Sequence, residues 1–414
     1  MSFNKNRITV FEHESIKPGE NTAFKNHHLE SLQRYFGEKG TKYYSLINNG
    51  VKFNQYVGVL QVGKLVIEVL PKTDKSNDTD WRKFLIGLLR AVGTVKVSSS
   101  GKTELKIRSN SILDLYFEMF VTEVEQLVHK GLIKQYRKIE ANHSSLKGSM
   151  NFPKQIQKNI IHKERFYINH SVYSWDNKFN QILLKALQLI KIQNTSQELQ
   201  SRIGALLLNF PENSEIIINE TTFKRLIFNR KTESYREAID LAALILLNYH
   251  PDLSKGQYNV LAIMFDMNVL WEKFILISLR KNAPDNTLIK GKVKRPFWLD
   301  ESKLQVGMEP DIVIEKGDDT YILDTKWKVL QGSRPSDDDL KQMYVYTKYF
   351  KSRFTALVYP DDGIKTRKGA FFHEVQNIHP YPCSVIKLEI SENTTSISAW
   401  QKIISQELFD KIMN

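Results

Sequence analysis

Three charged side chains in the second half of the chain, those of Asp311, Asp324 and Lys326, have a spacing that favours metal-assisted chemistry. Asp311 and Asp324 stand at matching ends of two short apolar segments, and Lys326 follows Asp324 by two residues. Carboxylates held close together repel each other, so a half-buried sheet that keeps such a pair needs a positive charge between them. A divalent cation and the Lys326 ammonium are the two candidates.

The two apolar segments are predicted to form a β-hairpin. If residues 316–319 form a four-residue loop, residues 312–315 pair in antiparallel order with residues 320–323. This register places Asp311 directly opposite Asp324. Because side chains alternate along a strand, the residue two positions after Asp324 lies on the same face. The hairpin therefore predicts one site with two carboxylates and one amine.

A helix is predicted upstream of the hairpin, over residues 265–276 and the apolar residues that follow. It is apolar on nearly every side, which is typical of a buried helix. Glu272 lies on the same stripe as Val269, Ile275 and Leu279, so its carboxylate is expected in a largely dry place. Burial of a carboxylate costs free energy unless it is paired or bound to metal. Two interpretations remain open: Glu272 helps to hold a cation, or it forms an ordinary salt bridge at the edge of a core.

A second helix is predicted downstream, beginning at Asp339, and it carries Gln342 and Tyr346 one turn apart on a single face. Alone, such a pair is common on helix surfaces. The helix is followed by residues 354–359, an apolar run that predicts a buried strand. The order of elements around the candidate site is therefore helix, strand, strand, helix, strand.

Three tryptophans, Trp271, Trp298 and Trp327, occur close to these segments. All three are predicted to pack in the core. Trp327 directly follows Lys326 and is therefore also a candidate to shield the site from water.

Composition restricts the class of protein. The chain has 414 residues, enough for two or three domains, and a formal net charge of +13. The cationic excess indicates a polyanionic ligand such as nucleic acid; a generally basic protein without such a ligand is the alternative. The single cysteine, Cys383, excludes an internal disulfide and disfavours zinc-ribbon sites. No run of 18 apolar residues occurs, so we expect a cytoplasmic protein without a membrane segment.

Basic residues flank the candidate site in sequence. They are Lys290, Lys292, Lys294 and Arg295 before the hairpin, and Lys365, Arg367 and Lys368 after it. These residues are candidates for contacts with DNA phosphates. The alternative is that both runs form solvated faces, as most charge runs do.

Periodicity along the chain predicts a mixed α/β protein in three parts. Residues 1–110 form a β-rich N-terminal region, with one turn at Gly63–Lys64. Residues 111–255 have the three/four spacing of helices and form a helical middle region. Residues 256–414 contain the helix and strand order described above.

Helix boundaries are predicted from capping residues. The first helix covers residues 81–91 with Asp80 as its N-cap, and another covers residues 112–128 and ends before Gly131. A further helix is predicted to open at Asp176.

The set formed by Glu272, Pro310–Asp311 and Asp324–Lys326 resembles the motifs of the PD-(D/E)xK nuclease superfamily. Gln342 and Tyr346 resemble the QxxxY motif of its RecB-like branch, which implies that both belong to the catalytic set. The D-x-K element alone is common by chance, whereas the ordered set is much more specific. The resemblance implies a restriction-endonuclease-like α/β domain over residues 256–414.

This resemblance also implies roles for the site residues. Asp311 and Asp324 would hold Mg²⁺, and Glu272 would assist metal binding. Lys326 would position or activate the attacking water and stabilise charge on the phosphate. These roles suit phosphodiester hydrolysis, because the metal lowers the pKa of water and offsets charge at phosphorus.

Four further blocks resemble successive blocks of the McrC family: Ile67–Lys72, Leu146–Ser149, Asp176–Asn180 and Phe265–Asn268. The resemblance implies the nuclease subunit of a modification-dependent restriction system that cuts double-stranded DNA. Its N-terminal part would engage and stimulate a hexameric AAA+ GTPase, McrB, so GTP would be bound by the partner. Because a duplex cut requires two active sites, two such subunits are expected to meet on DNA.

Ser100–Thr103 resembles the end of a phosphate-binding P-loop, but Lys96 stands where that motif requires glycine. The following residues are more typical of a strand than of a helix. We therefore predict a plain loop here.

Two other functions remain open. In the first, the chain is mainly an adaptor that activates an NTPase, and its nuclease fold is secondary. In the second, it is a self-sufficient RecB-like exonuclease.

Overall fold

The computed structural model describes residues 6–20, 23–71, 78–93, 111–250, 259–301, 305–328, 334–361, 366–373, 377–389 and 397–413. The strands are β1 (Arg7–Phe11), β2 (Ser15–Ile16), β3 (Tyr44–Ile47), β4 (Gly50–Phe53), β5 (Tyr56–Val62), β6 (Leu65–Leu70), β7 (Gln135–His143), β8 (Ser149–Met150), β9 (Phe166–Ser174), β10 (Tyr249–His250), β11 (Val260–Asp266), β12 (Thr287–Gly291), β13 (Arg295–Leu299), β14 (Gln305–Met308), β15 (Ile312–Lys316), β16 (Asp319–Thr325), β17 (Phe354–Asp361), β18 (Ala370–His373) and β19 (Asn377–Glu389). The helices are α1 (Asn26–Phe36), α2 (Asp78–Ala91), α3 (Ile112–Lys130), α4 (Phe152–Asn159), α5 (Lys178–Gln193), α6 (Gln197–Asn209), α7 (Glu220–Lys224), α8 (Arg236–Leu247), α9 (Met267–Lys281), α10 (Asp337–Tyr349) and α11 (Ile397–Met413), with a 3₁₀ turn at Glu233–Tyr235. None of the helices in these ranges has the length and apolar character needed to cross a membrane.

The backbone divides into two compact units. Unit 1 consists of Met1–Leu60, Val66–Gly101 and Met264–Asn414, and unit 2 consists of Gln61–Leu65 and Lys102–Ile263. The predicted helical region, residues 111–255, falls in unit 2. Most of the predicted N-terminal and C-terminal regions share unit 1. The first strands of the chain and the candidate site therefore belong to the same compact unit.

A mixed sheet in unit 1 carries the candidate hairpin. Its strand order is β12-β15-β16-β17-β19-β18. Strand β15 pairs antiparallel with both of its neighbours, β12 and β16, whereas β16, β17 and β19 run parallel. A parallel pair needs a crossover connection, and α10 provides it between β16 and β17. The predicted order of helix, strand, strand, helix, strand is confirmed as α9, β15, β16, α10 and β17, with β12, β13 and β14 inserted after α9.

The register of the hairpin is confirmed, but its loop is shorter than predicted. Ile312 pairs with Leu323, and the pairing continues to Glu315 with Thr320. The ladder then extends by one more pair, Lys316 with Asp319. The four-residue loop was therefore wrong, because a tight two-residue turn closes the strands. Gly317 makes this turn accessible, since its φ of 60° lies in the left-handed region.

An aromatic cluster forms part of the core of unit 1. It contains Phe84 from α2, Trp271 and Phe274 from α9, Trp400 from α11 and Trp327, with ring centroids 4.6–6.3 Å apart. Trp271 and Trp327 are buried as predicted. Large aromatic side chains bury much apolar area, so this cluster holds α9 and the end of the hairpin segment in place.

The N-terminal part of unit 1 is β-rich, as predicted. In unit 1, β1 runs parallel to β6, and β6 is followed in the sheet by β5 and the last part of β11. The predicted turn at Gly63–Lys64 is confirmed between β5 and β6. Helix α1 was not anticipated. Helix α2 begins at Asp78, so Asp80 lies inside the helix and the predicted N-cap is wrong.

Unit 2 contains the expected helices and an unexpected sheet. Helix α3 ends before Gly131, as predicted, but α5 is capped by Asn177 instead of opening at Asp176. The Asp176 carboxylate instead accepts hydrogen bonds from Ser214 and Gln181. Strands β7, β9 and β8 form a sheet in this order. It was missed because β7 is exposed or half-buried along its whole length, which removes the apolar alternation that marks a strand.

We expect Gly317→Ala to lower the free energy of unfolding by about 1 kcal/mol, because an L-residue is strained in the left-handed region. A Cβ at this position meets no atom within 4 Å, so the effect isolates backbone strain. The matched control is Gly204→Ala inside α6, where a Cβ also meets nothing and the change should stabilise by about 0.5–1 kcal/mol. Chemical denaturation measures both. Equal signs for the two variants would contradict the turn geometry.

Candidate active site at the end of the hairpin

Asp324 lies near the end of β16 and is almost fully buried, with 2% of its surface exposed. Its Oδ2 atom is 2.8 Å from Nζ of Lys326. The backbone N–H of Lys326 donates to the carbonyl of Val358 at 2.9 Å, so the strand pairing with β17 continues beyond β16. The two charged side chains are therefore carried by rigid, hydrogen-bonded backbone.

Asp311 directly precedes β15, and its carboxylate binds the backbone next to Asp324. Oδ2 of Asp311 accepts hydrogen bonds from the N–H of Thr325 at 2.7 Å and from its hydroxyl at 2.9 Å. The ladder ends at the pair Ile312–Leu323, so Asp311 bonds diagonally to Thr325 and is not a ladder partner of Asp324. Both carboxylates nevertheless lie at the same end of the hairpin.

The protonation of Asp324 reflects this crowded position. Burial, followed by repulsion from Asp311, raises the pKa of Asp324 to about 6, although Lys326 opposes the shift. A buried carboxylate in this setting stays ionised at neutral pH at a cost in free energy. The ionised Asp324 therefore lowers the folding stability, and a bound cation would offset this cost.

Lys326 is surrounded by three acceptors. Besides Asp324, its Nζ lies 3.4 Å from Oε1 of Gln342 and 3.7 Å from Oδ1 of Asp339. Burial disfavours the ammonium, but the attraction of Asp324, Asp339 and Asp311 outweighs burial and raises the pKa of Lys326. Lys326 is thus a charged donor held between the hairpin and α10.

Gln342 and Tyr346, a weak pair in sequence, join the site through a chain of hydrogen bonds. Nε2 of Gln342 donates to the Tyr346 hydroxyl at 2.8 Å, and this hydroxyl donates to the carbonyl of Glu309 at 3.3 Å. Glu309 precedes the Pro310–Asp311 pair. The chain therefore connects Lys326 to the backbone that positions Asp311.

Asp339 was not recognised as a site residue from the sequence. Its Oδ2 atom lies 2.7 Å from Nζ of Lys328 and accepts from the Tyr359 hydroxyl at 3.3 Å. Burial would raise the pKa of Asp339, but hydrogen bonds from Lys328 and Ser336 and the charge of Lys326 lower it. Asp339 lies in the first turn of α10, after the N-cap Ser336. Acidic residues are common there because they stabilise the helix N-terminus, so its sequence position did not distinguish a site residue from an ordinary helix start.

Glu272 is buried, as predicted, and forms a salt bridge. Its Oε2 atom is 3.1 Å from Nζ of Lys292. Burial and the nearby Asp311 raise the pKa of Glu272, against the lowering effect of Lys292. Asp311 repels both Glu272 and Asp324. All three predicted carboxylates therefore lie in the same region of unit 1.

The predicted DNA-contact residues have different environments. Lys290 is paired with Glu315 at 2.7 Å, and Lys292 is paired with Glu272. Lys294 and Arg295 are exposed near the start of β13, and Arg367 and Lys368 are exposed before β18. Lys365 lies outside the described residues, as does the Ser100–Thr103 segment.

Trp327 is buried, whereas Trp298 is exposed. The Nε1 of Trp327 donates to Oε1 of Glu12 at 2.7 Å, so the residue after Lys326 is fixed by the N-terminal part of unit 1. The prediction that Trp298 packs in the core was wrong, because 53% of its surface is exposed. Trp298 lies in β13, which pairs only with β14 among the described strands, and every residue of β13 is exposed.

Two of the three predicted carboxylates have the properties of Mg²⁺ ligands. Within the described ranges, no group of three or more His, Cys, Asp or Glu side chains is arranged to hold a metal. Mg²⁺, however, keeps several waters and often takes one or two carboxylates. Oδ2 of the buried Asp324 has no donor in hydrogen-bond geometry, although Lys326 lies close. Asp311 and Asp324 therefore fit such a site, whereas Glu272 is already paired with Lys292.

Comparison with known proteins identifies the family of the chain. The family model described as "McrBC 5-methylcytosine restriction system component" matches residues 51–360, about three quarters of the chain. The chain belongs to this McrBC component family. The matched range includes every acidic, lysine, glutamine and tyrosine residue assigned to the candidate catalytic set. No curated protein matches the chain in sequence.

Solved structures show the same fold. One is a refined half-complex from a tetradecameric assembly of Thermococcus gammatolerans McrB AAA+ hexamers with bound McrC; its matching chain is 19% identical, with a TM-score of 0.71, and the match covers 97% of this chain and 100% of that chain. Another is a cryo-EM structure of the Thermococcus gammatolerans McrBC complex, 20% identical, with a TM-score of 0.51 and coverage of 67% and 88%. The predicted mixed α/β class is confirmed, and so is the McrC resemblance.

In metal-free buffer, Asp324→Asn should raise the free energy of unfolding at neutral pH by about 1–3 kcal/mol. The folded-state pKa, about 6, lies above the ordinary value of 3.8, so ionisation opposes folding. The gain should be absent below about pH 4, appear between about pH 4 and 6, and stay constant above. Thermal or chemical unfolding across this pH range measures it. The exposed Asp337→Asn is the control, and an unchanged or lower stability of the Asp324 variant at pH 7 would refute the account.

Proposed function

We propose that this chain is the Mg²⁺-dependent endonuclease subunit of a GTP-driven McrBC-type restriction complex and that it hydrolyses phosphodiester bonds in double-stranded DNA. The observation that carries the proposal is the meeting of Asp311, Asp324 and Lys326 at one end of a rigid hairpin. The Lys326 amine contacts the Asp324 carboxylate, and the Asp311 carboxylate binds Thr325, the residue between them. The net charge of +13 supports a polyanionic substrate.

The residues have distinct roles in this proposal. Asp311 and Asp324 would hold Mg²⁺, which supplies Lewis-acid stabilisation of charge on the phosphate when it is bound. Lys326 donates hydrogen bonds to the phosphate oxygen that gains charge as the water oxygen bonds to phosphorus and the ester P–O bond breaks. The attacking water releases a proton to solvent, and the departing oxygen takes one from solvent. A donor that is already oriented needs little reorganisation in the transition state, which is why the position of Lys326 matters.

Two neighbours orient Lys326. Gln342 accepts from its Nζ, and the Asp339 carboxylate attracts it from the side of α10. Both contacts come from outside the hairpin, so they restrain the amine while Asp324 holds a cation. Burial and the charge of the nearby Asp311 raise the pKa of Glu272. Glu272 would assist by exchanging its Lys292 partner for the cation.

The proposed partner is a hexameric AAA+ GTPase of the McrB type, which would bind the GTP. The fold likeness extends over 97% of this chain to a structure in which McrC is bound to McrB hexamers. A surface of unit 2 supports the same proposal. Phe152, Ile156 and Ile160 are exposed at successive i, i+4 positions of α4 and its C-cap, so they form one apolar stripe.

Two further exposed apolar side chains lie on the β7–β9 sheet, against which α4 packs. Tyr136 and Tyr173 are register partners of β7 and β9, and both are exposed. Exposed apolar patches of this kind mark protein interfaces. Among the described residues up to Gly93, by contrast, Leu46 is the large hydrophobic residue that is exposed. We therefore assign GTPase contact to unit 2 in addition to the predicted N-terminal region.

Cleavage should be lost in Asp324→Ala and in Lys326→Ala, by at least about a hundredfold each, because each variant removes a charge that acts on the reacting phosphate. Both variants should still co-purify with the GTPase partner and stimulate GTP hydrolysis. The assay is cleavage of linear and circular DNA by the assembled complex with GTP, and chelation of Mg²⁺ should stop it.

The matched control is Lys316→Ala, an exposed lysine at the other end of the same hairpin, which should cleave normally. Full cleavage by the Asp324 or Lys326 variant would overturn the assignment. Lack of cleavage by the wild-type complex, with GTPase stimulation intact, would favour the adaptor. Cleavage by the isolated chain without GTP would favour the self-sufficient exonuclease.

The double variant Ile156→Asp, Ile160→Asp should weaken GTPase stimulation at least about tenfold, because it places charge in an apolar contact. Its thermal unfolding should match the wild type, since both side chains are exposed. Ile217→Asp, at another exposed residue of unit 2, is the control. GTP turnover and co-purification measure the effect. Normal stimulation by the double variant would exclude this stripe as the contact.

Cleavage of both DNA strands needs two active sites. We propose that two copies of this chain meet on DNA within a larger assembly, each cutting one strand.

A further inference from the structure

A two-stranded ribbon, formed by β13 and β14, stands apart from the other sheets of unit 1. Every residue of β13 is exposed. Among them are Phe297, Trp298 and Leu299, and Val306 of β14 is exposed as well. Contiguous apolar side chains are rarely left in water without a binding role.

The ribbon emerges from the candidate active site itself. The N–H of Lys292 donates to the carbonyl of Asp311 at 3.0 Å. This hydrogen bond joins the two ends of the segment 292–311, which contains both strands of the ribbon. Lys292 is the partner of Glu272, and Asp311 is one of the proposed metal ligands. A phosphate bound at the end of the hairpin would therefore lie beside the base of the ribbon.

The ribbon is held in one orientation by the C-terminal end of α10. The Tyr349 hydroxyl donates to the carbonyl of Pro296, and the Tyr349 ring meets Phe297 edge-on with centroids 5.7 Å apart. The Arg295 guanidinium lies 4.7 Å from the centre of the Phe350 ring. These contacts leave Trp298 and its register partner Val306 on a shared, exposed face.

Charge along the ribbon favours a polyanion near its base. Lys294 and Arg295 are exposed there, and the two strands carry no acidic side chain. The stem of Lys294 lies across Gly307, where an added Cβ would meet its Cε at 2.9 Å. The acidic residues Asp300 and Glu301 follow β13 at the far end, and a single acidic residue, Glu309, directly follows β14 at the base, beside Lys294 and Arg295. The cationic end is therefore the end next to the scissile phosphate.

We propose that this ribbon contacts double-stranded DNA next to the cleavage point, with Trp298 packing on bases in the groove and Lys294 on a phosphate. The major groove of double-stranded DNA admits a two-stranded β-ribbon, and apolar side chains there pack on base edges such as the thymine methyl group. The proposal rests on the proposed nuclease function. A second copy of the chain is a less suitable occupant, because it also carries a net charge of +13, whereas DNA offers phosphates to the cationic base.

The test compares ribbon variants in an Asp324→Asn background, in which cleavage is blocked. Full-length chain, alone and with its co-purified GTPase, is titrated against a labelled linear duplex at several salt concentrations, and binding is followed by fluorescence anisotropy. Trp298→Ala should weaken binding about tenfold without changing the salt dependence, since it removes packing and no phosphate contact. Trp298→Phe keeps an aromatic ring and should restore most of the affinity.

Lys294→Ala should weaken binding and reduce the slope of log K against log salt by about one, as expected for one lost phosphate contact. Ile403→Ala, an exposed apolar residue on α11, is the control and should bind like the background protein. Wild-type affinity for Trp298→Ala in both settings would overturn the proposal. A Trp298→Ala defect confined to self-association in ultracentrifugation would also overturn it. Failure of the wild type to cleave, with DNA binding lost only in the ribbon variants, would reject the nuclease function while keeping the ribbon as a DNA contact.

Discussion

The buried contact between Asp324 and Lys326 is the interaction on which the rest of the site depends. Burial and the nearby Asp311 both disfavour the ionised Asp324, and Lys326 alone among the close cations offsets this repulsion within the described part of the chain. Such an arrangement lowers stability in the absence of a ligand. It persists because both residues are carried by strand-paired backbone in the middle of a mixed sheet. The fold thereby maintains a local electrostatic conflict that a bound cation would relieve.

Helix α10 converts this contact into an organised site. Its first turn supplies Asp339, and the next turns supply Gln342 and Tyr346, so three side chains of one helix reach Lys326 or the backbone before Asp311. The same helix is packed on the sheet through Met343 and Phe350. Because the crossover between parallel strands must lie on the sheet, the position of α10 is a consequence of topology. Its C-terminal end also supports the β13–β14 ribbon.

The N-terminal segment also contributes to the site, although it is distant in sequence. Glu12 accepts a hydrogen bond from Trp327, and the N–H of Trp327 donates to Asn268 at the start of α9 at 3.4 Å. The residue after Lys326 is thus held by the first strands of the chain and by the helix that carries Glu272. The N-terminal region and the candidate site, assigned to separate domains by sequence alone, are in this way physically connected within unit 1.

The sequence by itself determined the hairpin register, the order of elements around it and the identity of its charged residues, because alternation and turn formation depend on neighbours in the chain. It also carried enough family motifs to identify the McrC resemblance. Only the tertiary structure decided that Asp311 bonds to Thr325, that Asp339 approaches Lys326, and that Glu272 pairs with Lys292. It likewise placed Trp298 in water and joined Glu12 to Trp327. Such contacts unite segments far apart in the chain, and they follow from the packing of whole helices and sheets, which local patterns do not encode.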